Sequence, residues 1–516
     1  MYLTQSLHRA VQQGPDQVAT VFGDRVRTNR EVADRVARLA GALGALGVAE
    51  GDRVALLAHN SDVFHEYMYA VWWMGGVVNP VNTRWSPKEM TYSLEESDTR
   101  VLLVDDSFAP MVPRLRELWG GLGTVVHCGA GPVPEGMLGY EDLIAGHEPV
   151  EDLRLGGDRL AGLFYTGGTT GFPKGVMLSH TNILASTHSF VAASQGAVRG
   201  GGRTMHTAPL FHMAAVSSWC SQNLVGGSHV FVPAFAPEHL LKLITERRPT
   251  STTLVPAMIQ MLLDHPAVGE HDLSSVERVG YGASPISGTL LSRAMAAFPN
   301  ARFAQGYGMT EMAPGVATLA PEDHHDPRLL RAAGRALPGV DVRVVDPADV
   351  EMPRGTVGEI VARGANMMLG YWNKPQETAD ALRGGWMHTG DAGHMDDNGY
   401  LYIVDRLKDM IVTGGENVYS AEVENALATH PAIASCAVIG VPDPTWGERV
   451  HAVIVLKPGH TTTTDDIRTH CKTLIAGYKS PRTCDFVETL PLSPAGKILK
   501  RDLRKPHWNS TGRSVG

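Results

Sequence analysis

Tyr165-Thr166-Gly167-Gly168-Thr169-Thr170-Gly171-Phe172-Pro173-Lys174-Gly175 follows directly on the apolar run Leu160–Phe164. Glycines let a backbone approach an anion and take positive φ. Successive amide N–H groups can then form a concave nest for phosphate, with threonine hydroxyls as added donors and Lys174 as a cation. The segment reads as a triphosphate clamp at the end of a strand; the plain alternative is a Gly/Thr surface loop. It is not a Walker A loop, which needs Gly-x-x-x-x-Gly-Lys followed by Ser or Thr on Mg²⁺. Here Lys174 follows Pro173 and precedes Gly175, so the hydroxyl for the metal is missing. P-loop kinases and GTPases are disfavoured, and an enzyme that uses ATP differently is expected.

Outward from the clamp, short apolar strands alternate with amphipathic helices. Thr28-x-x-Glu31 is a capping box, and Val32, Val36, Leu39, Ala40 and Leu43 follow at helical spacing up to Gly44–Gly47. Asp52–Leu57 reads as a buried strand, Val63–Met74 as a helix, and Val101–Asp105 as another strand. Ser251–Pro256 and Val276–Gly280 continue the series. The alternation predicts an α/β fold with a largely parallel sheet. After about residue 330, Val340–Val345 and Val357–Ala362 read as strands of a small β unit. Beyond Asp405–Asp409 the texture changes again. The tail predicts a helix near Ser420, a strand pair at Ala434–Val441 and Val450–Leu456, and a helix behind Thr463-x-x-Asp466. That last helix is expected to present Ile467, Cys471, Leu474 and Ile475 on one face. The expected domains are therefore 1–405 and 406–516.

With 516 residues the chain is too long for one ordinary domain. Hydrophobic residues at 43% and charged residues at 19% describe a globular composition. A net charge of −9 without a dense basic block argues against nucleic-acid binding. The cysteines Cys128, Cys220, Cys436, Cys471 and Cys484 show no CxxC spacing, so neither a disulfide framework nor a zinc site is expected. The longest apolar stretch, Met68–Val81, is interrupted by Gly75, Gly76, Asn79 and Pro80 and is too short to span a bilayer. The first residues lack a charged-then-apolar leader pattern. A cytoplasmic location is expected from these features together.

Other segments place polar residues beside glycines. Gln305-Gly306-Tyr307-Gly308-Met309-Thr310-Glu311 has an acid behind a glycine turn, and Glu311 could hold Mg²⁺ together with substrate phosphates. Trp386-Met387-His388-Thr389-Gly390-Asp391 offers Asp391 to ribose hydroxyls or as a helix cap. Arg406 could meet phosphate or ribose, or form a surface ion pair. Pro494-Ala495-Gly496-Lys497-Ile498-Leu499-Lys500 sets a lysine on a glycine turn.

In this order, with Pro209-Leu210-Phe211-His212, Tyr281-Gly282-Ala283-Ser284-Pro285, Gly370-Tyr371-Trp372, Asp405–Asp409 and Gly414-Gly415-Glu416-Asn417, these segments resemble the adenylate-forming superfamily. That superfamily contains acyl-CoA synthetases, aryl-CoA ligases, luciferases and nonribosomal adenylation domains. The resemblance covers about residues 15–505. It implies a large N-terminal adenylation domain of αβ subdomains plus a small β unit, and a small mobile α+β C-terminal domain. It also implies a two-step reaction. A carboxylate attacks the α-phosphorus of ATP, and the thiol of coenzyme A then displaces AMP from the acyl-adenylate.

By resemblance, Thr166, Gly168, Thr169, Thr170, Gly171 and Lys174 clamp phosphates, Lys497 is the catalytic lysine, and Glu311 with Thr166 holds Mg²⁺. Thr310 contacts the AMP phosphate. Gly282, Ala283, Ser284, Gln305, Gly306, Tyr307 and Gly308 surround the nucleotide, and Asp391, Ile403 and Arg406 lie at the ribose. His212 is the acyl-pocket gate and a catalytic candidate, and Tyr281, Gly282, Gly306 and Met312 line the same pocket. Lys408 is the hinge about which the small domain rotates, withdrawing Lys497 and advancing Gly415 and Trp446 to coenzyme A. Gly167 stands where the family usually has serine, so one hydroxyl donor is lost. The pocket candidates carry no charge, which favours a monocarboxylic apolar acid, with medium or long fatty acids first and aryl or aryl-propenoic acids as the alternative. Transfer of the acyl group to a carrier protein is also compatible with the motifs, as is, more remotely, a luciferase-type oxygenase. A non-catalytic relative would lack Lys497, Glu311 or Lys174, all of which are present. A homodimer is compatible with the sequence.

Overall fold

A computed structural model describes residues 1–166, 173–284, 286–414, 416–492 and 498–508. Its contacts divide the chain into two compact units. One is Met1–Val342 with Ala362–Met387; the other is Arg343–Val361 with His388–Gly516. The boundary expected at 405–409 falls inside the second unit.

The first unit is α/β. Among the described residues it holds an eight-stranded and a nine-stranded sheet. In the eight-stranded sheet, Arg53–Leu57 pairs in parallel with Val77–Pro80 and Val101–Val104. Leu160–Thr166 joins Val77–Pro80 in parallel and turns back antiparallel into Lys174–Ser179. The nine-stranded sheet has a parallel centre, Arg203–His206, Ser251–Leu254, Arg278–Gly282 and Arg302–Gly308, which continues antiparallel into Gly315–Leu319. Helix Asn29–Ala45 starts at the Thr28–Glu31 capping box and buries Val32, Val36, Leu39, Ala40 and Leu43. The long apolar stretch divides into helix Asp62–Trp73, a turn at Gly75 with φ +77°, and strand Val77–Pro80. Among the described residues no helix is long and apolar enough to cross a membrane.

Two hydrophobic layers sandwich the nine-stranded sheet. Leu254, Val279, Tyr281 and Phe303 pack with Leu240, Ile259 and Leu291, which lie on helices Pro237–Arg247, Pro256–Leu263 and Gly288–Ala297. On the other side lie helices His180–Ala193 and Met213–Val225, which pack on each other. Period-two alternation therefore turns Thr253, Arg278, Gly280, Gly282, Ala304 and Gly306 towards that helix pair.

In the second unit, Leu401–Arg406 pairs antiparallel with Met387–Met395. A further sheet is built on the long hairpin Ile433–Asp443 and Gly447–Leu456, with Thr483–Phe486 parallel beside it. Helix Ser420–Ala428 and helix Thr464–Lys472 bury Val423, Leu427, Ile467 and Cys471 against this hairpin. The last of these helices stops at Lys472, short of the expected face: Leu474 is 53% exposed. All five cysteines are free.

Candidate active site

Thr166 and Lys174 face each other directly across the antiparallel pair that leads into and out of the clamp. Gly167, Gly168, Thr169, Thr170 and Gly171 lie outside the described residues, as do Pro285, Gly415 and Lys497. Beside Lys174–Ser179 runs the short strand Gly370–Tyr371, with Tyr371 opposite Val176. This register places the Lys174 Nζ 4.9 Å from the centre of the Tyr371 ring. The Tyr371 hydroxyl donates to Glu311 Oε1 at 2.8 Å. Burial, reinforced by the Glu311 charge, raises the Tyr371 phenol well above its ordinary range, so it stays a protonated donor. Tyr371 thus ties the clamp lysine to the candidate metal carboxylate. It stands in a matching motif that assigns it no role, because only the pairing of two strands far apart in sequence reveals one.

Glu311 is 7% exposed and sits in the turn Thr310–Met312 that follows strand Arg302–Gly308. The turn is fixed by Met309 N–H donating to the Pro314 carbonyl at 3.0 Å, and Met368 N–H donates to the Glu311 carbonyl at 2.8 Å. Asn366 adds amide bonds to the carbonyls of Met312 and Gly315 at 2.6 and 2.7 Å. A buried carboxylate in so constrained a frame is positioned rather than free to swing, which suits a ligand for a hard cation.

Gly282 and Gly306 lie opposite each other on neighbouring strands. A Cβ at Gly282 would come within 2.3 Å of the Gly306 carbonyl oxygen, so this close backbone approach requires glycine. Ala283 follows with φ +66°, a left-handed conformation that is strained for a residue with a side chain. Ser284 continues this turn. Gln305 is held by Thr318 Oγ1 donating to its carbonyl at 2.8 Å, and Tyr307 and Gly308 complete the strand. Above Gly306 the nearest atom to a virtual Cβ is the Phe190 ring edge of helix His180–Ala193, at 3.8 Å. This bare backbone face, bordered by the Phe190 edge, is the candidate wall of the acyl recess. Met312 is fully buried. His212 immediately precedes helix Met213–Val225, its ring 4.5 Å from that of Phe211. Asn60 fixes the preceding loop, accepting from Leu210 N–H at 2.8 Å and donating to Ala208 at 2.9 Å.

Tyr281 stands apart from these residues. It belongs to the opposite hydrophobic layer, with its hydroxyl 2.9 Å from His324 Nε2. Alternation along Arg278–Gly282 sends its side chain away from the face that carries Gly280 and Gly282. Phe190 is the aromatic residue that borders this backbone face instead. It comes from a helix with weak sequence periodicity and carries no motif.

In the second unit, Asp391 and Arg406 are direct cross-strand partners, with Arg406 Nε 2.6 Å from Asp391 Oδ1. Asp391 is 6% exposed, and Ile403 projects from the same strand as Arg406 with 37% exposure. Lys408 is exposed in the turn Leu407–Asp409. Its flanks are anchored: Asp405 accepts from Ser420 Oγ at 2.7 Å, and Asp409 pairs with Arg504 at 2.8 Å. Trp446 accepts from Gly414 N–H at 2.8 Å and carries the Arg482 guanidinium 4.7 Å above its ring.

Residues 7–372 match the family described as AMP-binding enzyme, and residues 422–497 match the AMP-binding enzyme C-terminal domain. Feruloyl-CoA synthase of Amycolatopsis sp is 39% identical over 498 residues, covering 96% of this chain and 97% of that protein. The fatty acid–[acyl-carrier-protein] ligase ScoC of Streptomyces coeruleorubidus is 36% identical over 516 residues, covering 99% and 97%. The crystal structure of the anthranilate CoA ligase AuaEII in complex with anthranoyl-AMP matches with a TM-score of 0.91 at 28% identity, covering 99% and 98%. The chain belongs to the AMP-binding enzymes, among the ligases that join a carboxylic acid to coenzyme A by way of an acyl-adenylate.

Proposed function

We propose that this ligase activates an aryl or aryl-propenoic acid, and that the described polar groups offset the charge repulsion of adenylation. In the first step an acid oxygen bonds to the α-phosphorus of ATP, the bond to the bridging oxygen breaks, and pyrophosphate leaves. Both reactants are anionic, so the barrier is largely electrostatic and positioned cations lower it. Lys174 and Thr166 serve the outgoing phosphates, and Thr310 the α-phosphate that stays with AMP. Lys497 is the mobile cation at the reacting oxygens. Glu311, oriented by Tyr371, and Thr166 would hold Mg²⁺, which when bound supplies positive charge against the phosphates. Asp391 and Arg406 hold the ribose. In the second step the thiol of coenzyme A, losing its proton, attacks the acyl carbonyl carbon, and AMP leaves with the electrons of the C–O bond.

The observation that carries the choice of acid is the bare backbone face at Gly282 and Gly306, flanked by the Phe190 ring edge. A flat ring can lie against bare strand backbone and meet an aromatic edge beside it with favourable edge contact. Similarity to feruloyl-CoA synthase and to an anthranilate CoA ligase supports this reading. A medium- or long-chain fatty acid is the second reading, supported by the likeness to ScoC, which also makes a carrier-protein thiol the second acceptor.

The test is AMP and pyrophosphate release from ATP and Mg²⁺ over a panel from acetate to palmitate with benzoate, cinnamate and ferulate, with and without coenzyme A. Coenzyme A-dependent AMP formation, fastest with a ring-bearing acid, is the expected result. A maximum at palmitate would replace the aryl reading with the fatty one. Pyrophosphate release with no coenzyme A product would point to the carrier protein.

A further inference from the structure

Arg278 opens the strand whose far end carries Gly282, and it shares the helix-facing side with Gly280 and Gly282. The position a Gly280 Cβ would take lies 3.4 Å from both terminal nitrogens of Arg278 and 3.1 Å from Thr253 Oγ1. The guanidinium therefore leans along the strand towards Gly282, over the gap that Gly280 leaves. Across that gap Thr253 Oγ1 reaches Ser218 Oγ of helix Met213–Val225 at 3.4 Å. Gly280 and Gly282 are two strand positions apart, about 6.6 Å. The charge thus lies on the same helix-facing side as the bare backbone of Gly282 and Gly306, further down the strand.

Among the described residues no hydrogen bond or ion pair engages this guanidinium. Nearby acids are committed elsewhere, Glu277 to Arg199 at 2.6 Å and Glu322 to Arg302 at 3.0 Å. Burial alone pushes the Arg278 pKa down to about 10, with no acidic partner to raise it. Arg278 is partly buried, and a cation without protein acceptors gains when a ligand supplies them. Arginine is suited to this, since its planar fork can take one oxygen or two.

We infer that Arg278 is a specificity-determining residue of this ligase, selecting acids with a hydrogen-bond-accepting oxygen at the end remote from the reacting carboxylate. The inference rests on the proposed acyl recess and names what lies at its far end. The accepting oxygen is either a neutral ring substituent or a second carboxylate, and both present the same chemistry to the fork.

The experiment compares kcat/KM for cinnamate, 4-hydroxycinnamate, 4-carboxycinnamate and octanoate, by pyrophosphate release, in the wild type, Arg278→Met and Arg278→Lys. In the wild type at least one oxygen-bearing acid should exceed cinnamate by about tenfold or more, the scale of a hydrogen bond to a charged group, mainly through KM. Arg278→Met should erase that preference while cinnamate and octanoate stay within about twofold of wild type. Arg278→Lys should keep part of it. The better of the hydroxyl and carboxylate acids identifies the neutral or anionic source. A wild type indifferent to the remote oxygen would overturn the inference. So would an Arg278→Met enzyme weakened equally on all four acids, since a merely structural role predicts that. No adenylation of any acid would sink the ligase reading itself, and the inference with it.

Discussion

Tyr371 is the residue whose role sequence motifs leave open and whose contacts define it. Its hydroxyl is a donor to the buried Glu311 carboxylate, and its ring faces the Lys174 ammonium. Removing that hydroxyl leaves a charged oxygen short of one donor, an effect of about 1.5–3 kcal/mol. Tyr371→Phe should therefore lower kcat/KM for ATP by about 10- to 100-fold with little change in melting temperature. Pyrophosphate release at varied ATP and Mg²⁺ checks it, and an unchanged rate would remove Tyr371 from the site. A second prediction concerns three buried imidazoles. His206 Nε2 lies 2.9 Å from His229 Nδ1, His229 Nε2 lies 2.9 Å from Asn223, and Trp219 Nε1–H donates to His65 Nδ1 at 3.0 Å. Burial pushes His65 and His206 down to about 3 and His229 well below its ordinary value. The unfolded chain binds these protons near pH 6.5, while the folded chain takes up those of His65 and His206 only near 3 and that of His229 well below its ordinary range. Their contribution to stability is thus complete above about pH 6.5 and lost as the pH falls towards 3. The melting temperature should decline from pH 7 to pH 4.5, and a flat profile over that range would contradict the assignment.

At the scale of elements, strand Arg278–Gly282 and its neighbour Arg302–Gly308 form the wall on which nucleotide and acid are expected to rest. Gly282→Ala would drive a Cβ to 2.3 Å from the Gly306 carbonyl oxygen, a rigid backbone atom that can yield only by separating the strands. The variant should keep its overall fold, melt several degrees lower and lose at least about 100-fold in adenylation, since misplacement by about 1 Å costs that much. Circular dichroism and pyrophosphate release together decide it; near-normal turnover would place the acid elsewhere. The same strand marks where sequence reading runs out. The capping boxes at Thr28–Glu31 and Thr463–Asp466 are legible because a cap is a local pattern, and both are formed. The parallel centre of the sheet is legible from its short apolar runs. Sequence alone puts the strand at Val276–Gly280, two residues early, because Val276, Val279 and Tyr281 give no clean alternation. The facing directions of Tyr281 and Arg278 follow only from the register with Ser251–Leu254 and Arg302–Gly308. For the same reason Phe190 and Tyr371, brought in from remote helix and strand, are not legible as site residues.

Across the whole chain, nine motifs in order make the reaction class readable. The candidates divide between the two compact units. Thr166, Lys174, Gly282, Thr310 and Glu311 belong to the first, and Asp391, Arg406, Lys408 and Trp446 to the second. Lys497 falls in the sequence range of the second. If the small domain rotates about Lys408 between half-reactions, as we propose, adenylation and thioester formation need different arrangements of one chain. Two variants separate the steps. Lys497→Ala should depress adenylation by about 100-fold or more, the scale of removing a preorganised charge from a transition state. It should leave thioester formation from supplied acyl-AMP and coenzyme A nearly intact. Lys408→Pro fixes φ at one position of the turn Leu407–Asp409, where a hinge must absorb a large dihedral change. It should do the reverse, sparing pyrophosphate release and slowing transfer to coenzyme A. Rapid-quench measurement of each half-reaction gives the answer. Equal loss of both steps in both variants would mean that a single arrangement serves the whole reaction, and rotation about Lys408 would have to be abandoned.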